Sequence, residues 1–356
     1  MNNLEKINNI KEGEKMNKKL FKIMILELLV IMLVVLTGCN DSKEKTKVEN
    51  EVETKEKQIS LYPVKDNDTM RYGYVDKNGK WFIEPQYMLA EGFDSSTGLA
   101  KVKTSNDNFS VGYIDQKGNM VIKAQYGANS HSFCNGYAAV ETKDEGSSKY
   151  NTYALIDKDG KTIISGKKYI QMTDVGKNGL IGVVESSEMK YIKLDGTVVI
   201  EKGFGSTGSK FYDCGIAYVS PKLEGDTKYI LINENGEQIG TTQYKEISGF
   251  NENGFAFASK FGASSSETKG IINKLGEFVV EPKFKSVYYE FNNNGLNMAK
   301  NVNGKLYGIV NEKGEWVVEP QYVEADRLLD GSWVVKLENN KHQVIGNDGN
   351  IIVNEF

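Results

Sequence analysis

Several residue groups in this chain have spacings that chemistry could use. Gly203-Phe204-Gly205-Ser206-Thr207-Gly208 matches the G-x-G-x-x-G of dinucleotide-binding turns. That turn works when a helix follows it and points its N-terminus at a pyrophosphate. Here the strand-like Thr197 to Ile200 precede it, but Phe211-Tyr212-Asp213-Cys214-Gly215 follow and run into another strand, so it reads as a glycine loop. Asp76-Lys77-Asn78-Gly79 and Asp157-Lys158-Asp159-Gly160 resemble the opening of a calcium loop. Calcium takes roughly six to eight oxygens, and these turns supply two side-chain ligands each. Asp and Asn also favour such turns unaided, through bonds to their own backbone. His131 and Cys134 are three apart, yet zinc prefers four nitrogen or sulfur ligands. They read as a loop histidine beside a buried thiol, and no metal site is expected. Cys134 and Cys214 are expected to be free, buried thiols. Acidic residues are scattered, with no pair placed as general acid and base. No catalytic residue and no cofactor is assigned.

Tyrosine is abundant, at nineteen residues, which raises the idea of stacking on carbohydrate. Tyr72, Tyr74, Tyr153, Tyr229 and Tyr307 sit at positions that recur along the chain, where packing between units is expected. Tyr288, Tyr289 and Phe291 lie off that register and are the better surface candidates.

The elements that must position these residues come from an internal repeat. A polar turn ending in glycine recurs at Gly79, Gly118, Gly160, Gly196, Gly236, Gly276, Gly314 and Gly349, about 40 residues apart. Four residues before each glycine stands Val75, Ile114, Ile156, Ile192, Ile232, Ile272, Val310 or Ile345. After it come short apolar runs such as Trp81-Phe82-Ile83, Met120-Val121-Ile122 and Trp316-Val317-Val318. β-Branched and aromatic runs on both sides of a polar-glycine turn predict a hairpin. A second glycine (Gly98, Gly136, Gly179, Gly215, Gly254, Gly295, Gly331) opens a further strand. Each unit therefore offers three strands and room for a fourth. The hairpin runs are apolar at consecutive positions, so both faces of those strands are expected to be covered by neighbouring units.

The recurring G-x-A-x-V, the aromatic-Gly-Tyr-Ile-Asp-x-x-Gly and the following E-P-Q-Y (Glu84 to Tyr87, Glu319 to Tyr322) resemble bacterial WG-type β repeats over residues 59–356. The name-giving tryptophan is replaced by Tyr72 before Gly73 and Tyr307 before Gly308, by Val111 before Gly112, and by Lys269 before Gly270. Copies three to five have drifted most. The expected fold is all-β, a tandem repeat of antiparallel three- to four-stranded units closed into a propeller of seven or eight blades. An open β solenoid is the alternative, favoured by the lack of an obvious closing strand in residues 59–71.

The N-terminus carries delivery signals. Lys18, Lys19 and Lys22 form a basic region, Leu28 to Leu36 an apolar one, and Leu36-Thr37-Gly38-Cys39 follows. Those four residues are similar to the lipobox of bacterial lipoproteins. The resemblance implies a signal peptide over residues 1–38 (with Met16 able to serve as the start), cleavage between Gly38 and Cys39, and lipid on the Cys39 thiol. A membrane-spanning helix is the alternative, but Leu20 to Leu36 fall short of the ~20 apolar residues a span needs, and Lys22 and Glu27 interrupt them. Residues 39–58 are almost wholly polar and alternate in charge, which predicts a lipidated tether.

Composition narrows the function classes. A net charge of -4 is too mild to imply a nucleic-acid partner, which usually needs a concentrated basic face. Three cysteines cannot build a disulfide framework. The reading is a lipid-anchored protein on the extracytoplasmic face of the cell membrane, displaying a non-catalytic binding or adhesion module. Its expected partners are the membrane through the lipid, and a cell-wall polymer or an extracellular or envelope protein. The alternatives are an envelope hydrolase of glycosidase type, with carboxylates converging in a central pocket, and a structural spacer.

Overall fold

A computed structural model of the chain describes residues 60–143, 152–165, 168–221, 228–262, 268–288, 290–328 and 330–355. Residues from Gln58 to Phe356 form one compact unit. Among the described residues every regular element is a strand and all named pairings are antiparallel.

The second unit shows the design. Four strands, Leu89–Phe93, Ala100–Lys103, Val111–Ile114 and Met120–Tyr126, pair in sequence order from the middle of the molecule to its rim. The first unit begins instead at Tyr62–Lys65, followed by Tyr72–Val75 and Trp81–Tyr87. Eight such sheets follow one another, ending in Glu324–Arg327, Trp333–Lys336, His342–Ile345 and Ile351–Val353. Three long strands, Val198–Gly208, Gln238–Ile247 and Phe278–Val287, serve as the outer strand of one sheet and then bend to become the inner strand of the next. Sheets four to seven therefore run together as one thirteen-stranded ladder.

The array closes on itself. Tyr62, Val64 and Val75 of the first sheet share a buried cluster with Val334, Val344 and Val353 of the last. Tyr62–Lys65 lies in the stretch that showed no obvious closing strand, and its side chains seal the ring against the C-terminal sheet. Closure removes the two exposed sheet ends that a solenoid must cap. The protein is an eight-sheet propeller.

Burial follows strand position. Val111–Ile114, the third strand of its sheet, is buried at all four residues, as consecutive apolar residues require when both faces are covered. The outer strands depart from that expectation. Phe82, Val121, Val199, Val279, Val317 and Ile352 are exposed, because the rim strand has a neighbour on one side only.

A glycine on the third strand explains half of the repeat motif. A methyl group on Gly308 would sit 2.5 Å from the Val318 carbonyl oxygen and 2.8 Å from the Pro320 nitrogen. The outer strand shifts register here, between the pairs Tyr307–Tyr322 and Ile309–Val318, and its bulged backbone presses onto the glycine. Gly73, Gly112 and Gly270 meet the same obstruction. The tyrosine that follows in some units joins sheets. Tyr74, Tyr113 and Tyr191 donate their hydroxyls to the carbonyls of Glu91, His131 and Ser209 in the next unit. Their rings pack on Phe93, Phe133 and Phe211 at 4.7 to 4.9 Å.

Candidate ligand-binding site

Two places gather polar and aromatic side chains from several sheets. The first is a cavity of about 430 Å³ where sheets five, six and seven meet. Tyr218 and Tyr229 line one side, Tyr288 and Tyr307 another, and Glu246, Ser248 and Lys269 supply polar groups between them. Each tyrosine pair is set edge to face, with centroids 5.2 Å apart for Tyr218–Tyr229 and 5.6 Å for Tyr288–Tyr307. The Lys269 ammonium lies 2.7 Å from the Glu246 carboxylate, whose side chain is 53% exposed. Lys300 sits 3.9 Å from the centroid of the Tyr307 ring, a cation on one aromatic face. Burial raises the phenol of Tyr288, and burial followed by the Glu246 charge raises that of Tyr229, so both remain neutral donors. Tyr229 and Tyr307 reach the cavity because they begin the third strands Tyr229–Ile232 and Tyr307–Asn311, one residue before the fully buried stretch.

The second is a charged cluster of side chains from the third, fourth and fifth units. His131 Nδ1 lies 2.7 Å from Asp174, and Lys210 lies 3.7 Å from the same carboxylate and 3.5 Å from the Cys134 sulfur. Cys134 belongs to the third unit and Lys210 to the fifth, so this contact reaches past a whole sheet, as only residues near the ring axis can. Nearby, Lys101 holds Glu91 at 2.6 Å, and Ser132 donates to that carboxylate. Arg327 donates to the Glu290 backbone carbonyl at 2.7 Å and lies 3.6 Å from its carboxylate. Burial pushes the Asp174 carboxyl up, but the hydrogen bond and charge of His131 and the Lys210 ammonium outweigh it and leave it below its ordinary value. Burial raises the Cys134 thiol despite Lys210, so it stays protonated. Asp174 and Lys210 still keep 31% and 25% of their side-chain surface, so water reaches the cluster.

The residues singled out in the sequence fall as follows. Gly38 and Cys39 lie outside the described residues. The glycine motif from Gly203 to Gly208 is the end of the strand Val198–Gly208, and no helix follows it. Asp76 accepts the backbone N–H groups of Asn78 and Lys80, at 2.8 and 3.1 Å, so its carboxylate closes its own turn. Asn273 makes the same pair of bonds to Leu275 and Glu277, which shows that the turn needs the acceptor rather than the charge. Cys134 and Cys214 are free but only half-buried, a correction to the expectation of buried thiols: Cys134 faces the polar cluster, and Cys214 sits in a turn. His131 is likewise no isolated loop residue, since Asp174 and Lys210 gather around it. Among the tyrosines, Tyr74 packs between units as expected, whereas the equally periodic Tyr229 and Tyr307 also open onto the cavity. Tyr288 lines the cavity, Phe291 is buried against Phe257 in the core, and Tyr289 lies outside the described residues.

A closed ring of antiparallel sheets built on a glycine-punctuated repeat defines a β-repeat protein. Residues 72–107, 112–145, 231–260, 270–305 and 307–340 match the family described as WG containing repeat, and the chain is a WG-type β-repeat protein. Each matched stretch spans the outer half of one sheet and the inner half of the next, so the sequence repeat itself links neighbouring sheets covalently. No curated protein matches the chain. Among solved structures, a eukaryotic initiation factor is similar at 11% identity and a TM-score of 0.49, covering 84% of this chain and 96% of that one. Hsv2 of Kluyveromyces lactis is similar at 8% identity and a TM-score of 0.44, over 72% of this chain and 93% of that one. BamB from Moraxella catarrhalis is similar at 11% identity and a TM-score of 0.41, over 72% and 79%. The fold described above rests on strand pairing and ring closure, not on these distant likenesses.

Proposed function

We propose that the protein is a lipid-anchored, extracytoplasmic binding module that holds its ligand in the tyrosine cavity and does not turn it over. The observation that carries this reading is the cavity: four half-buried tyrosines and an ion pair, contributed by three sheets that ring closure holds in place. A rigid, partly aromatic concavity with a few convergent polar groups is the usual form of a small-ligand site.

The hydrolase alternative needs two carboxyl groups ~5–9.5 Å apart, one of them able to donate a proton. Among the described lining residues Glu246 is the one carboxylate, so the cavity lacks the second carboxyl group, and Glu246 is paired with Lys269 at 2.7 Å. In the inner cluster, Glu91, Asp174 and Glu290 each face a cation, and the Cys134 thiol is protonated. These features favour capture over chemistry. The lipid anchor rests on the basic, apolar and Leu36-Thr37-Gly38-Cys39 segments.

The test uses the full chain expressed in a bacterium. Fatty-acid label on the wild type, lost together with membrane association in Cys39→Ser, supports the anchor. Retention of surface glycan or protein by the purified chain, without release of new reducing ends or peptides, supports the module. Sustained turnover abolished by a single carboxylate substitution would replace it with the hydrolase.

A further inference from the structure

We infer that the tyrosine cavity accepts a neutral oligosaccharide segment, one or two sugar rings deep, an assignment that rests on the binding-module reading above. The volume of about 430 Å³ lies within the ~300–1,000 Å³ of small-molecule sites and is far more than one small ion fills.

The walls match what a sugar presents. A pyranose offers flat patches of C–H bonds on its faces and hydroxyls around its edge. Tyr218 against Tyr229, and Tyr288 against Tyr307, turn ring faces in different directions, with interplanar angles of 75° and 60°. A bent, multi-ring ligand can lay C–H patches on more than one of them. Between the pairs, Glu246 and Lys269 stand 2.7 Å apart. A carboxylate accepts and an ammonium donates, so two neighbouring hydroxyls of one sugar can bridge this pair and satisfy both. The phenols of Tyr229 and Tyr288 stay protonated and add neutral donors.

The same features argue against charged ligands. The lining ion pair cancels its own charge, so a carboxylate or phosphate ligand would gain at Lys269 and lose at Glu246. A quaternary ammonium seeks open aromatic faces. The Lys300 ammonium already occupies one face of Tyr307 and repels a second cation.

The experiment is isothermal titration of the full chain with cellotetraose, maltotetraose and chitotetraose. Tetragalacturonate and tetramethylammonium serve as the acidic and cationic probes. At least one neutral tetrasaccharide is expected to bind. Tyr307→Leu should weaken it roughly tenfold, the scale of one lost aromatic contact. Glu246→Gln should weaken it about threefold, as one hydrogen bond to a charged acceptor is replaced. Glu246 is exposed enough that this second variant folds even if Tyr307→Leu does not. The inference is overturned if no neutral tetrasaccharide binds, if binding is unchanged in both variants, or if tetragalacturonate or tetramethylammonium binds more tightly. A tighter charged probe would change the ligand class and leave the module standing. Failure of every probe, together with no retention of surface material, would remove both.

Discussion

Sheets seven and four solve the same packing problem from opposite sides. In sheet seven the third strand carries Gly308, pressed against an outer strand that reads Val318-Glu319-Pro320-Gln321. In sheet four the corresponding third-strand residue is Lys190, and the outer strand reads Ile200-Glu201-Lys202-Gly203. The register steps are alike, with Tyr191 opposite Ile200 and Met189 opposite Phe204, matching Ile309 opposite Val318 and Tyr307 opposite Tyr322. What differs is the backbone of the bulge, where Gly203 adopts φ of 66°. A left-handed residue re-aims the bulged strand and leaves room for the Lys190 side chain. Sheet five, with Ile230 in the glycine position, also has a left-handed glycine on its outer strand, Gly240. The constraint the fold enforces is the bulge, and in these sheets glycine stands on one strand or the other. Sheet four lies wholly outside the family match, and in sheet five the match starts at residue 231, just past Ile230, yet both sheets take their places in the ring.

The strongest way to break this contrast is an alanine on each third strand. Gly308→Ala forces a methyl group against the Val318 carbonyl and is expected to cost ~1–3 kcal/mol, the range of overpacked interiors. Lys190→Ala removes a side chain paired with Glu201 at 2.7 Å without creating a clash, and should be less costly than Gly308→Ala. Urea unfolding of both variants measures the difference. If Gly308→Ala is no worse than Lys190→Ala, the close approach is not what selects glycine.

The drifted units also supply what the regular ones lack, namely Asp174 and Lys210 of the inner cluster. Asp174→Asn should lower stability at neutral pH by ~1–3 kcal/mol, because Lys210 and His131 lose their shared carboxylate inside the ring. The folded-state pKa of Asp174 is depressed, so its contribution is fully present above the unfolded value of ~3.9 and is lost as pH falls through the folded value. Wild type and Asp174→Asn should therefore converge in stability on acidification below about pH 4. A gap that persists at lower pH would mean that the substitution acts through packing rather than charge.

How much of this was legible depends on the range of the physics involved. The turn glycines and the flanking strands were readable because a hairpin is a local matter, set by φ at one residue and side chains a few positions away. The inner cluster was not. His131 and Asp174 are 43 residues apart, and Lys210 and Cys134 are 76 apart, each in the variable stretch where the repeat says least. The cavity was half legible. A rich supply of tyrosine pointed to it, yet periodicity assigned Tyr229 and Tyr307 to packing. Periodicity tells which residues are equivalent within sheets, not which gap between three sheets stays open. Phe291 failed the other way, since leaving the repeat register does not put a side chain on the surface when Phe257 waits 4.5 Å away.

The smallest expected effect cuts across the division between regular and drifted units. Tyr74 and Tyr113 follow a third-strand glycine and Tyr191 follows Lys190, yet all three make the same bond to the next unit. Leu155, Leu231, Ile271 and Ile309 occupy that register elsewhere and have no hydroxyl to offer. Tyr191→Phe keeps the ring on Phe211 and removes only the 2.8 Å bond to the buried Ser209 carbonyl, so the cost should be ~1 kcal/mol. Tyr74→Phe should cost the same, because its bond to the Glu91 carbonyl is also 2.8 Å long. Equal losses in thermal unfolding would mean that the sheet-to-sheet bond is independent of which strand carries the glycine. A loss confined to Tyr74→Phe would show that the bulge of sheet four, rather than its tyrosine, positions the following strand.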